Sequence, residues 1–296
     1  MINKKNRLEP ISKIILGTVQ FGLSYGINNK IGKPNPDSVF EILNLAYDSG
    51  VRLLDTAEVY GNAHELIGNF HRHHPSKKFQ VISKVPYEFD GNFYTKIDQY
   101  LKELNITKLK ALLFHSYDSY RKNSGLFSRD SKIEHLGKNV DSIGVSIYTN
   151  EQFSEVLEDE MINIIQLPFN LFDNNNLRGS LIEKAKQKGK TIHTRSAFLQ
   201  GLFFMEDENQ ITRILQKELH LIKEIAKELD ISVSALALSY CLQQKNIDNV
   251  LIGVETKEQF EQNVSEVNTQ IPINYLEKIN SVFIKNRDIL NPSKWN

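Results

Sequence analysis

The chain has one cysteine, Cys241, in 296 residues, so no disulfide can form within it, and the lone thiol suits a reducing compartment. It has no excess of either charge, since 36 Lys and Arg balance 36 Asp and Glu. That balance excludes the electrostatic footprint of a nucleic-acid or acidic-lipid surface. No apolar run approaches the ~18 residues of a membrane span. The first residues, MINKKNRLEPISK, carry basic groups without the apolar core of about 7–15 residues that a secretory signal needs. No linker rich in Pro, Gly or Ser interrupts the chain, and no Gly-rich dinucleotide fingerprint is found. The histidine cluster His71, His73 and His74 has no carboxylate or thiol at ligand spacing, so no metal is expected there. What is left is a cytoplasmic protein of ordinary composition, expected to act on a small molecule as a monomer or small homo-oligomer.

What is present is a repeat. Eight short runs rich in Ile, Leu and Val are nearly continuous in apolarity: Ile14–Val19, Val51–Asp55, Phe79–Lys84, Leu109–Phe114, Asp141–Ser146, Ile162–Leu167, Lys190–Thr194 and Asn249–Gly253. Such runs predict parallel strands buried on both faces. Between them, apolar residues fall at helical spacing, as in Val39, Ile42, Leu43, Ala46 and Tyr47, with Asp37 as the expected cap and Gly50 as the stop. Phe93 to Leu104, Leu177 to Ala185, Ile211 to Leu229 and Val233 to Cys241 repeat the pattern, and shorter stripes fall at His64–Phe70, Ile133–Leu136, Phe153–Leu157 and Phe260–Val264. Eight alternations predict an α/β fold, a (β/α)8 TIM barrel forming a single domain over residues 1–296, with an extra C-terminal helix at Asn274–Lys285 and a tail carrying Trp295.

Active sites of such barrels form at the C-terminal ends of the strands. There the chain offers Asp55 with Tyr60 on the following loop, Lys84, His115, Ser146, Gln166 with Asn170, and Arg195 with Ser196. A tyrosine is a poor acid at neutral pH, and a neighbouring lysine is expected to lower its pKa. A carboxylate would hold the lysine in place, and a histidine would orient a substrate oxygen. Such a set suits protonation of a carbonyl oxygen as hydride reaches the carbon. Side chains do not supply hydride, so a nicotinamide cofactor is implied.

The stretches GTVQFG, DTAEVYG, VISKV, LLFHS and GVS, in this order, resemble the aldo-keto reductases from about Ile14 to Asn263. The resemblance implies that Tyr60 is the general acid/base, that Lys84 tunes it, that Asp55 pairs with Lys84 and that His115 orients the carbonyl. It implies further that Ser146 and Gln166 bind the nicotinamide carboxamide, with Ile147 standing where an Asn is usual. Arg195 replaces the usual stacking tyrosine, and a positive charge there disfavours the oxidised cofactor. Gln200, Gly201 and Leu202 fall on the pyrophosphate side and Asn263 on adenine, and Ser196 is counted with the cofactor-binding residues. The resemblance implies NADP, but Gly253, Glu255 and Gln259 stand where basic residues usually hold its 2′-phosphate, which favours NAD.

The substrate wall is expected from Gln20, Phe21 and Tyr25 on the first loop, Tyr87 and Glu88 after Lys84, and Tyr117 and Phe203. This mix suits a sugar or another hydroxylated aldehyde or ketone. Alternative readings are an NAD-linked sugar dehydrogenase working oxidatively, or a redox-sensing subunit that binds cofactor with little turnover. An isomerase of phosphorylated compounds ranks last, because a Gly-rich phosphate cradle is absent. His193 is expected to be a core histidine making a local hydrogen bond, and Trp295 a surface anchor or, as the second reading, part of a tail that folds over the pocket and supplies an apolar wall.

Overall fold

The apolar runs become eight parallel strands because helices cover one face of each and the opposite strands cover the other. In the computed structural model, which describes residues 10–89, 92–126, 137–206 and 209–295, the strands are β1 (Ile14–Gly17), β2 (Leu53–Asp55), β3 (Gln80–Val85), β4 (Ala111–Phe114), β5 (Ile143–Ser146), β6 (Ile164–Pro168), β7 (Thr191–Arg195) and β8 (Asn249–Gly253). Each pairs with the next, and β8 pairs with β1 from Ile14↔Val250 to Gly17↔Gly253, closing the barrel. Most strands are shorter than the apolar runs. Val51, for example, is taken up in closing the preceding helix, where its N–H donates to Ala46 O at 2.9 Å.

Two cores result. Inside the barrel, Ile15, Ile82, Ala111, Leu113 and Ile164 pack with Leu53 and Leu251 and plug the space beneath the rim. The larger core lies between the sheet and its helices. These are α1 (Pro36–Ser49), α2 (Ala63–His73), α3 (Phe93–Leu104), α4 (Tyr117–Asn123), α5 (Asn150–Leu157), α6 (Asn175–Gln187), α7 (Gln216–Glu228), α8 (Val233–Leu242), α9 (Lys257–Glu266) and α10 (Ile273–Asn280). Helix α1 is capped by Asn35 rather than Asp37: the Asn35 side chain accepts from Ser38 N–H, and Asp37 sits in the first turn. The long stripe from Ile211 is broken at Leu215 into a short helix, Gln210–Ile214, and α7. Helix α8 is buried all round, from Ala235 to Leu242, so its apolar surface is wider than a single stripe. The stripe at Ile133–Leu136 lies outside the described residues.

His71 has a structural use. Its Nδ1 donates to Leu104 O at 2.8 Å and its Nε2 accepts from Phe79 N–H at 3.1 Å, which ties α2 to the end of α3 and the approach to β3. After α10 the tail crosses the rim in two short turns, Arg287–Leu290 and Pro292–Lys294. Among the described residues no helix is long and apolar enough to cross a membrane.

Candidate active site

The rim opens into a cavity of about 1220 Å³. That exceeds the range of roughly 300–1,000 Å³ typical of a single small-molecule site. It runs from Tyr60, Lys84 and His115, past the ends of β5 to β7, to the start of α9 at Gln259, Gln262 and Asn263.

Asp55 and Lys84 end adjacent strands and are both buried. Lys84 Nζ donates to Asp55 Oδ1, to Thr56 O at 3.1 Å and to Tyr60 Oη at 3.4 Å. The other carboxylate oxygen, Asp55 Oδ2, accepts from Gln166 Nε2 at 2.8 Å. Burial works against the Lys84 charge, but Asp55 beside it more than offsets this and its pKa lies above the ordinary value. Tyr60 differs from the expectation. Burial raises its pKa, Lys84 draws it down and Asp55 pushes it up, and the result lies above the ordinary value. The phenol therefore keeps its proton, because desolvation outweighs a single ammonium at 3.4 Å.

The His115 ring stands edge-on to Tyr60, with centroids 5.6 Å apart and planes at 88°. Burial, then Lys84 and Arg195, lower its pKa to about 3, so the imidazole is neutral. Tyr60 is carried by a loop, and that loop is seated on glycine. A Cβ at Gly22 would lie 1.7 Å from Tyr60 O, and one at Gly61, whose φ is +55°, would lie 2.5 Å from Gly22 O. The two glycines let the first and second loops touch backbone to backbone.

Arg195 ends β7. Its Nε donates to Ser146 Oγ at 3.3 Å, Nη1 to Ser196 Oγ at 3.4 Å and Nη2 to Ile147 O at 3.1 Å, and its guanidinium lies over the Tyr148 ring. Next to it, the buried Arg178 grips Asp173 with two hydrogen bonds of 2.5 and 2.8 Å. Gln200 and Gly201 line the cavity, and Gln200 Nε2 donates to Tyr25 Oη at 2.8 Å. At the far end Gln259 Oε1 accepts from Glu255 N–H at 2.8 Å, and Lys257 turns to Glu261. Gly253, Glu255, Gln259 and Asn263 line the cavity, and Lys257, on the same helix start, does not; the Lys and Arg residues lining it are Lys84, Arg178, Arg195 and, from the tail, Arg287 and Lys294.

Several expected wall residues are elsewhere. Phe21 is fully buried in the outer core, because the chain coils into a helical turn at Val19–Gly22 and leaves Val19 and Gln20 on the cavity. Leu202 and Phe203 are likewise buried, since Gln200 and Gly201 adopt left-handed backbone and the turn presents Phe204 instead. Tyr87 is exposed beneath Lys122, outside the cavity, and Glu88 pairs with Lys122. Tyr25 and Tyr117 do line it, Tyr117 with its hydroxyl on Glu155. The tail from Arg287 to Lys294 supplies a wall, and Trp295 pins it by donating from Nε1 to Ile289 O at 2.9 Å. The Asp173–Arg178 pair was legible only as an acid and a base astride a helix start. His193 is buried with no partner for Nδ1.

The residues fit a nicotinamide dinucleotide. The cavity is long, it has a proton-bearing group at one end and amides at the other, and Gln20 Oε1 is buried on it without a partner. A family model for the aldo/keto reductase family matches residues 13–284. The chain belongs to the aldo/keto reductase family and is an NAD(P)H-dependent oxidoreductase of carbonyl or alcohol groups. It is 23% identical over 292 residues to the L-glyceraldehyde 3-phosphate reductase of Escherichia coli K12, covering 83% of this chain and 84% of that protein. Among solved structures it resembles the aldo-keto reductase AKR11C1 from Bacillus halodurans in its holo form, at TM-score 0.71 and 16% identity over 93% of this chain and 94% of that one. It also resembles the glycerol dehydrogenase AKR11B4 from Gluconobacter oxydans, at TM-score 0.67 and 20% identity over 94% and 91%.

Two outcomes follow from this geometry. Gly22→Ala forces backbone apart at the Tyr60 loop and is expected to lower stability by roughly 1–3 kcal/mol in urea unfolding. His193 has its pKa lowered to about 4, by burial first, with Asp55 and Asp248 pulling the other way. The unfolded histidine binds a proton near pH 6.5 and the folded one does not, so this contribution to stability is complete above pH 6.5 and lost as pH falls toward about 4. By pH 5 the loss is about 2 kcal/mol, and His193→Gln is expected to flatten that part of the stability–pH curve.

Proposed function

We propose that this enzyme reduces an aldehyde or ketone to an alcohol, with Tyr60 giving the proton. The observation that carries this reading is the buried chain from Gln166 through Asp55 and Lys84 to Tyr60 Oη, with the neutral His115 edge-on to the phenol. The cofactor, when bound, supplies hydride to the carbonyl carbon. The residues do the rest. His115 donates from its ring to the carbonyl oxygen and sets its position. Tyr60 holds a proton until negative charge grows on that oxygen, then donates it. Lys84, kept charged by Asp55, stabilises the phenolate that remains. Gln166 holds Asp55 and thereby the whole set.

For the cofactor, the adenosine end favours NADH at least as much as NADPH. Glu255 stands on that wall, the Gln259 side chain is occupied in accepting the Glu255 N–H, and Lys257 is paired with Glu261 rather than lining the cavity. For the substrate, Gln20, Tyr25 and Tyr117 give stacking surfaces and hydrogen bonds suited to a short hydroxylated carbonyl compound, in keeping with a relative named for L-glyceraldehyde 3-phosphate. The reading places the enzyme in the cytoplasm, where its buried thiol Cys241 stays reduced.

Tyr60→Phe is expected to lower kcat by about a thousandfold while dinucleotide binding persists; retained reductase activity overturns the assignment. Steady-state kinetics with both cofactors are expected to give kcat/KM for NADH at least equal to that for NADPH. A preference for NADPH of about a hundredfold overturns the cofactor reading.

A further inference from the structure

Among the described residues the charges at the strand ends cancel in pairs apart from Arg195; the tail's Arg287, which also lines the cavity without an ion pair, acts on Glu151 and Asp173. Lys84 is matched by Asp55 and Arg178 by Asp173. His115 is neutral and Tyr60 keeps its proton. Arg195 is half-buried, and its partners are the Ser146 and Ser196 hydroxyls, the Ile147 carbonyl and the Tyr148 ring, all neutral. Among the described residues no carboxylate lies within ion-pair distance of it. The outer acids Asp118 and Glu151 stand in the first turns of α4 and α5, Asp288 is paired with Lys294 on the tail, and Glu255 lies beyond β8. The Arg195 charge acts on Tyr60, Tyr25 and His115, and more weakly than Arg178 on the Asp173 carboxylate, which Arg178 already neutralises.

A nicotinamide ring serving the proposed reaction would be held beside Tyr60 by residues at the ends of β5 to β7, Ser146, Gln166 and Arg195, which line one cavity with it. Its two redox states differ there by one unit of charge: the oxidised ring is a cation and the reduced ring is neutral. Pyrophosphate and adenosine are common to both states and cancel in the ratio of their affinities. From the uncompensated guanidinium we infer that Arg195 makes this site select the reduced cofactor over the oxidised one. The inference rests on the nicotinamide-dependent reading above. Unit charges even ~10 Å apart at an effective dielectric of ~20 repel enough to weaken binding about tenfold.

The same charge opposes the positive charge that grows on the ring as hydride leaves, so it gives no help to the chemical step. Its benefit lies on either side of that step. The site loads reduced cofactor from a mixed pool and sheds the oxidised form quickly, and release of product often limits turnover in such enzymes.

Dissociation constants for NADH and NAD+, and for NADPH and NADP+, measured by titration calorimetry at low salt, test this. The wild type is expected to bind the reduced form at least about tenfold more tightly. Arg195→Gln and Arg195→Tyr are expected to bring the ratio to within about threefold, chiefly through tighter binding of the oxidised form, while Arg195→Lys keeps the bias. A ratio near one in the wild type, or the same ratio in wild type and in either neutral variant that folds, overturns the inference and leaves the proposed reaction standing. Failure of the wild type to bind any of the four dinucleotides overturns both.

Discussion

The structure around the rim depends on one buried ion pair, Lys84 with Asp55. Two charges removed from water at this depth are costly, and their attraction offsets that cost only when every remaining polar atom is also satisfied. Here each is. Asp55 Oδ2 takes Gln166, and the Asp55 carbonyl accepts both the N–H and the hydroxyl of Thr18, each at 3.0 Å. Lys84 uses its remaining donors on Thr56 O and Tyr60 Oη. These partners come from β2, β3, β6 and the loops after β1 and β2, so the pair forms only when the barrel is closed. A buried pair is a weak source of stability. Its position under a phenol gives it a different use.

That use depends on a division of labour between strands and loops. The charged pair is fixed to strand ends, whose register is set by Leu54↔Val81 and Lys84↔Leu113. Tyr60 is not on a strand. Its loop is positioned by the Gly22–Gly61 contact and by Ala63 N–H donating to Tyr60 O at 3.1 Å. Below the site the inner apolar plug keeps out water, which strengthens every electrostatic contact above it. The neutral His115 follows from the same exclusion, because a second cation beside Lys84 in such a place would be prohibitively desolvated.

The sequence made the strands legible because burial on both faces leaves runs dominated by Ile, Leu and Val, with polar residues such as Lys84, Gln166 and Arg195 toward their ends; Asn249–Gly253 matches its run end to end. The rim residues were legible because they stand at the ends of those runs, and the motif resemblance gave them roles that spacing alone does not. The walls were not legible. Phe21 and Leu202 lie in short coiled turns whose facing has no period to read, and Tyr87 is turned outward to Lys122. The Tyr60 pKa was misjudged because desolvation is a property of the folded surroundings, which the local sequence does not state. The tail wall came from a long-range contact: Asn174 Nδ2 donates to Ile279 O and Val282 O at 3.1 and 3.0 Å and thereby sets the path of the chain into the tail.

The two halves of the cavity differ in how freely they can change. Replacing Lys84 or Asp55 alone leaves its partner as an unpaired buried charge, a loss of roughly 3–5 kcal/mol before any chemistry is considered. Arg178 and Asp173 are locked together in the same way. Arg195 is bound only to neutral acceptors, so removing its charge orphans no other charge. Glu255 and Gln259 stand at a capped helix start with solvent near, where a basic side chain is tolerated equally well. The Gln166–Asp55–Lys84–Tyr60 chain is therefore held rigid by the charges among its own members, while Arg195, whose charge still reaches Tyr60 and His115, and the Glu255 end can change without orphaning a buried charge. A barrel built this way can keep its buried ionic chain while the residues at Arg195 and Glu255 change, which is where the proposed reading puts the choice of dinucleotide and of its redox state.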